Sequence, residues 1–478
     1  LEQNTKISIT AIVSLVYIAI NTLLIANEFY WFTLLPILVL FAFAFIHSLN
    51  NIFILVAFIT PFSINIAEFG SSFGLSIPAE PLLALLLLFF IFKVFHDNIM
   101  DRAILKHPVS IALIFYFSWM LISTVISQDL MVSAKWFLAK MWLIIPMYFF
   151  GILVFRDIKN IPRFVWAYVL GLIPVIFFTI AVHAKFGFSD HAAHWAMSPF
   201  YNDHTSYGAI LAMFIPVIFG FAISKDEYSR NVRLFTFITL AILLIAIYFS
   251  ISRAAWASIV LAIGVFVMIK FRIRFWWVFI AGMVVVFLFF SFQSEIIMKL
   301  EKNKQDSSKD FVEHVQSMSN IATDASNLER INRWNSAINL FKARPIFGWG
   351  PGTYQFVYAP YQNVEDKTLI STNVGNKGTA HSEYLLILSE EGVLGIISLL
   401  AIFLGILFTA LKVVAKGENP VARRYALLLF LGLITYITHA FFNNFLDTDK
   451  AAVPFWGFVA GIVAVDLYHS RPSIDTEE

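Results

Sequence analysis

Long apolar runs separated by short polar joints dominate this chain. A membrane span needs about 20 apolar residues, with a range of about 17–25. Runs of that kind fall near 7–26, 30–46, 51–64, 80–95, 109–126, 135–155, 161–185, 207–223, 232–251, 254–269 and 275–292. A long polar stretch follows, then further runs at 393–411, 425–442 and 453–469. The pattern predicts an all-α polytopic membrane protein of about 12–14 transmembrane helices with one large helical loop. It divides the chain into N-terminal membrane helices over 1–292, the loop over 293–392, and C-terminal membrane helices with a tail over 393–478. The run at 51–64 is short and contains Pro61, so it reads either as a span or as a re-entrant segment. No cleavage site follows the run at 7–26, which therefore reads as the first membrane helix and not as a signal peptide.

The joints decide orientation. Lys93, Arg102 and Lys106 share one joint; Arg156, Lys159 and Arg163 share a second; Lys225, Arg230 and Arg233 a third; Lys270, Arg272 and Arg274 a fourth; and Lys412, Lys416, Arg423 and Arg424 a fifth. The intervening joints are nearly free of cations, with Lys185, Arg253 and Lys450 the main exceptions. Cytoplasmic loops carry the excess of Lys and Arg, so both termini are expected in the cytoplasm and 293–380 on the far side. Composition agrees with lipid as the solvent. Of 478 residues, 59% are hydrophobic and 13% charged, against about 25% charged in soluble domains. A net charge of +2 gives no basic character that would point to nucleic acid, and the absence of cysteine excludes disulfides, thiolate metal sites and thiol nucleophiles.

Chemistry concentrates in the large loop. Its opening stretch, Lys299 to Asp310, reads as a solvated segment. Ser326 and Glu329 then form a capping-box pattern opening a helix that Pro345 ends. On that helix Arg330, Arg333 and Arg344 fall within about 60° of one another, beside a Trp334–Phe341 stripe. Such a face suits a surface helix with snorkelling arginines, or a guanidinium cluster for a phosphate or diphosphate. Gly348, Gly350 and Gly352, with Trp349, Pro351, Thr353 and Tyr354 between and after them, permit a tight turn or close approach to a ligand. His381 precedes a short apolar helix expected to start near Ser382 and to break at Gly392. A helix N-terminus disfavours imidazolium and keeps such a histidine available as a base. Arg253 sits in a nearly loopless joint at the hydrocarbon edge, where a charge marks a functional candidate. Lys135 and Lys140 raise the same question within a span. Asp447-Thr448-Asp449 resembles a metal-holding Asp-x-Asp pair, though a solvated joint explains it as well. His191, His194, Asp203 and His204 lack a tight four-ligand zinc pattern, so this stretch, with Asn202, reads as the wall of a substrate cleft.

Arg253 within a Ser-Arg-x-x-Trp turn, Arg330 and Trp334 leading to the glycine-rich run up to Tyr354, and His381 followed by Leu385, Glu390 and Gly392 occur in order. This constellation resembles the O-antigen ligase and polymerase superfamily, which includes lipopolysaccharide O-antigen ligases, polysaccharide polymerases and protein O-oligosaccharyltransferases. The resemblance covers about 140 residues, from Ser252 to Gly395; Ser382 departs from it, since ligases often carry Asn after the histidine. It implies a multi-pass protein of the bacterial inner membrane that moves a glycan from undecaprenyl diphosphate to an acceptor on the periplasmic face, with no metal and no cofactor. Implied partners are the lipid-linked glycan donor, lipid A–core or a growing glycan as acceptor, and membrane lipids. Implied catalytic residues are His381 as base, and Arg330 and Arg253 on the diphosphate. Arg333, Arg344, Trp334, Gly350, Tyr354, Glu390, Asn202, His204 and Lys140 complete the expected substrate-binding set. O-antigen ligation is the first expectation; polymerisation, protein glycosylation and, in a different class, lipid-linked glycan transport follow. Transport would call for ionisable residues near the midplane, and only Lys140, His183 and His439 stand deep in the runs.

Overall fold

A computed structural model describes residues 2–27, 32–33, 35–36, 48–66, 74–273, 325–367, 371 and 378–470. Contacts divide the chain into Leu1–Phe53 and Ile54–Glu478. The first unit holds α1 (Glu2–Ala26). There Tyr17 donates to the Phe32 and Thr33 carbonyls, each at 3.3 Å, and its ring stacks on Phe32. The boundary falls within α2 (Leu49–Ile59).

The rest of α2 leads into the second unit through a 3-10 turn at Thr60–Phe62. Its helix of 11 residues rises only about 1.5 Å per residue, too little to cross a bilayer. The chain turns instead into an antiparallel pair, Ile64–Asn65 against Ser76–Ile77, with Ile64 opposite Ile77 and Asn65 opposite Ser76. Then come α3 (Ala79–His96), α4 (Pro108–Val125), α5 (Leu130–Ile145, bent onward through a π-turn at Pro146), α6 (Asn160–Lys185), α7 (His204–Ile223), α8 (Arg230–Phe249) and α9 (Arg253–Lys270). After the segment outside the description stand α10 (Ala325–Ala343), α11 (Glu383–Lys416), α12 (Pro420–His439) and α13 (Asp449–Ala464). Among the described residues, 10 helices are long and apolar enough to cross a membrane, so the protein is an all-α polytopic membrane protein.

The expected runs at 30–46 and 275–292, and the Lys299–Asp310 stretch, lie outside the described residues. Two boundaries moved. The span expected at 135–155 begins at Leu130, where the Asp129 side chain caps α5 by accepting from Val132 N at 3.1 Å. The short helix expected to start near Ser382 and to break at Gly392 is present: Ser382 caps it, and non-helical dihedrals at Gly392 part it from the span that follows, the two being taken together as α11. The capping box, by contrast, is not the start of α10: Ser326 is already helical, and Glu329 faces Arg333, its guanidinium Nε donating at 2.6 Å.

The packing explains why apolarity alone marks spans without ranking their depth. Every residue of α13 is buried, and small residues make that possible: a Cβ at Gly457 would stand 2.3 Å from the Phe164 ring, and one at Gly461 would stand 2.7 Å from Leu429. By contrast α9 leaves Val260, Leu261 and Ile263 exposed at 67%, 51% and 57%, as a lipid-facing helix should. The basic joints gather at one end, where Arg424 pairs with Glu227 at 3.0 Å and Lys412 with Asp466 at 2.7 Å. The loop elements gather at the other.

That loop is welded to the bundle by the glycine-rich turn. Gly348, Gly350 and Gly352 take φ of +71°, +109° and +75°. Gly350 N donates to the Glu390 carbonyl at 2.8 Å, and both Glu390 carboxylate oxygens are taken by backbone, from Gly352 N and Tyr354 N at 2.8 Å each. Gly392, at φ +70°, kinks α11 where the Ile346 carbonyl would meet a Cβ at 2.1 Å. A Cβ at Gly350 would fall 1.9 Å from Ser127 Oγ. Gly350→Ala is therefore expected to lower the melting temperature in detergent, since left-handed strain alone costs about 1–3 kcal/mol; an unchanged transition would show that the weld bears no load.

Candidate active site

The caps of the helices create the site. Asp203 caps α7, its Oδ1 accepting from Ser206 N at 2.7 Å. Ser382 caps α11, and Thr448 and Ser252 precede α13 and α9. The N-termini of α7, α11 and α13 open onto one cavity of about 640 Å³, and partial positive charge accumulates at each such end.

His381 lies on the cavity wall beside Asp203, Tyr354 and Asn443. Its backbone is held at φ +47° by two bonds: its N–H donates to Thr379 Oγ1 at 3.1 Å, and its carbonyl accepts from Trp334 Nε1 at 3.3 Å. Burial, then the positive charges of Arg330 and Arg333, push the imidazole pKa down to about 4. The ring is thus neutral at physiological pH and can take a proton. Arg330 and Arg253 also lie within electrostatic reach of His204, whose ring stands 4.3 Å from that of His194. So Arg330, distant in sequence from both histidines, acts on His381 and on His204, and Arg253 acts on His204.

The expected binding residues separate into two groups. Asn202, Tyr354 and Glu390 line the cavity, Trp334 supports the His381 backbone, and His204 stands by the arginines. Lys140 is buried beneath the cavity in an ion pair with Asp447, so that aspartate already has an ammonium partner. Arg333, Arg344 and Gly350 do not stand on the cavity wall. Sharing a helical face does not bring Arg330 and Arg344 to one site, because 14 residues of helix separate them by about 21 Å. Arg344 instead stacks on Trp349 at 4.1 Å and donates to Gln128 Oε1 at 3.0 Å. Arg333 turns inward onto Glu329 and the Tyr358 ring. Burial raises the Glu329 pKa, but bonds from Ser371 and Arg333 hold it below its ordinary value. Gly350 belongs to the weld described above, and so do both oxygens of Glu390.

Sequence reasoning missed much of the rest of the cavity lining: Asn65, Ser76 and Glu80 from the strand pair and α3, Trp136 from α5, and Asn443 and Asn444 before α13. The run of amides and acids from Asn443 to Asp449, crowded into one joint, was the available signal; nothing distinguishes Trp136 from the other tryptophans. His183, by contrast, is structural, its ring meeting the Ser189 carbonyl at 3.0 Å. His191, His194, Asp203 and His204 do not assemble a metal site, and no group of metal-ligating side chains occurs among the described residues.

Residues 238–400 match the family model described as O-Antigen ligase. The matched segment runs from within α8 through Arg253, α10, the glycine-rich turn and His381 into α11. Among curated proteins, none matches the chain.

Proposed function

From the chain's place in the O-antigen ligase superfamily, supported by residues 238–400, we propose that it is a metal-independent inverting glycosyltransferase. It moves a glycan from undecaprenyl diphosphate to an acceptor hydroxyl at the periplasmic face of the bacterial inner membrane. The acceptor oxygen attacks the anomeric carbon as its proton passes to His381, and the bond from that carbon to the diphosphate oxygen breaks. The departing diphosphate keeps the electron pair, and fixed positive charge from Arg330 and Arg253 stabilises it where charge develops. One displacement inverts the anomeric configuration. The observation that carries this reading is the neutral His381 on a cavity wall, with Arg330 as the foremost charge acting on its ring.

Ligation to lipid A–core is the first reading of the acceptor. A growing glycan is the second, since it presents the same kind of sugar hydroxyl to His381. Purified protein reconstituted with undecaprenyl-diphosphate-linked glycan, with and without lipid A–core, tests both on a gel. An acceptor-dependent shift of the lipid A band is expected for a ligase, and a ladder of longer lipid-linked glycans for a polymerase. Neither product, with substrates confirmed intact, would overturn both acceptor readings: glycan moved onto an added protein would keep the transferase, and no transfer to any acceptor would favour transport.

A further inference from the structure

Arg344 and the apolar residues that follow it stand apart from the catalytic cavity, and their neighbours are membrane spans. Ser123 Oγ of α4 donates to the Phe347 carbonyl at 2.8 Å, and Val393 N of α11 donates to the Pro345 carbonyl at 2.9 Å. The Phe347 ring stacks on Trp119 of α4, with centroids 5.4 Å apart and 12° between the planes. These contacts fix the depth of the turn. α4 has 18 residues, about 27 Å at 1.5 Å per residue, which is no longer than a hydrocarbon core of about 30 Å. Its whole length is therefore needed to cross. Trp119 lies about 9 Å inside the Val125 end of that helix, so Phe347, stacked upon it, lies below the level where the hydrocarbon begins.

The free side of the turn is apolar. Ile346 is 54% exposed and Phe347 42%, and Pro345 is exposed beside them. The adjoining stretches of both spans are exposed and apolar as well, with Leu121, Ile122 and Val125 on α4 and Ile397 and Leu400 on α11. A patch of that kind on a solvated loop would need covering; next to lipid-facing helices it continues their surface. The charges stop where the apolar residues start. Lys342, exposed in the last turn of α10, and Arg344 directly precede the turn. Arg344 donates to Gln128 Oε1 at 3.0 Å and stacks on Trp349 at 4.1 Å. Gln128 stands just beyond the end of α4, so the guanidinium is held at headgroup level, where Arg, Lys and Trp collect.

We propose that Pro345–Phe347 is a wedge inserted into the leaflet on the loop side, with its side chains among phospholipid acyl chains and with Lys342 and Arg344 at the depth of the phosphates. The large loop is then anchored in the membrane at a point within its own length. That anchor ties down the end of α10, the helix that carries Arg330. The occupant is lipid, and not a partner protein, because the patch is continuous with the lipid faces of α4 and α11. None of this depends on the transferase reading.

The chain contains no cysteine, so single cysteines can carry a nitroxide with no other change. Four variants of the full chain serve: Ile346→Cys; Ile122→Cys on the lipid face of α4; Lys342→Cys; and Val364→Cys, a loop position 83% exposed. Each is labelled in phosphatidylcholine–phosphatidylglycerol nanodiscs and read by power-saturation EPR against oxygen, which partitions into lipid, and a nickel chelate, which stays in water. The label at 346 is expected to match the one at 122, with high oxygen contact and severalfold less nickel contact than at 364. The label at 342 should stay close to the aqueous value. Pro345→Cys replaces Ile346→Cys if the latter loses the parent melting transition. Nickel contact at 346 equal to that at 364 overturns the proposal, because the turn is then in water. Poor contact with both reagents also overturns it, since protein, such as a second copy of the chain, then covers the turn. A label at 342 as deep as the one at 346 overturns the placement of the cations at phosphate depth.

Discussion

His381→Ala is expected to cut glycan transfer by about 10²- to 10⁴-fold, the contribution typical of a positioned general base. The fold should survive. The His381 atoms that hold neighbouring segments are its backbone N–H and carbonyl, which bond Thr379 and Trp334, and alanine keeps both. Its φ of +47° is a conformation that asparagine tolerates better than alanine, so His381→Asn is the companion variant that separates lost chemistry from backbone strain. Measured on reconstituted protein, both variants should lose turnover while their melting temperatures stay near that of the parent. Near-normal turnover in either folded variant would remove this histidine from the mechanism.

The second large effect belongs to Arg330, and it has two parts. Arg330→Gln is expected to reduce transfer by about 10²- to 10³-fold, the scale for losing one preorganised group that stabilises developing negative charge. It should also move the pH profile. The His381 pKa is depressed to about 4, by burial first and by Arg330 next. The active neutral form is therefore present at physiological pH and is lost as pH falls through about 4. Removing the neighbouring cation favours imidazolium and raises that pKa, so the acid limb of kcat/KM should move upward. Because burial is the larger cause, and Arg333 remains, the limb should stay below the ordinary histidine value. A profile that keeps its acid limb unchanged while the rate falls would place Arg330 on the leaving group alone. A limb that moves with no loss of rate would make it a modulator of His381 without a role at the diphosphate.

Arg253 and His381 were legible in the chain because their chemistry conflicts with their surroundings. Arg253 stands at a hydrocarbon edge, and His381 precedes a capped helix in an otherwise apolar segment. Arg344 illustrates the opposite case. Helical periodicity gives angle without distance, so three arginines on one face looked like a cluster, and the rise along α10 together with Trp349 set Arg344 apart. The glycine-rich turn was equally open: three glycines allow close approach, but they do not say to what. The structure shows the partner to be Glu390 of α11, because that buried carboxylate lies where two backbone N–H groups need acceptors.

Hydrophobicity along the chain, by itself, determined that this is a helical membrane protein, because lipid leaves the backbone little choice except to bond within each segment. The caps and breakers Asp129, Asp203, Ser382 and Gly392 determined where several helices start or kink, because those effects act within a turn. Tertiary structure alone decided which spans are central and which face lipid, since that depends on whether a neighbour has a small residue to receive each side chain. It alone decided the cavity as well. Asn65, Glu80, Trp136, Asn443 and Asp449 come from four separate stretches of chain, and no local rule couples them. Only the packing of α13 through the middle of the bundle, with Lys450 tied to the Thr60 turn, brings them to one cavity with His381.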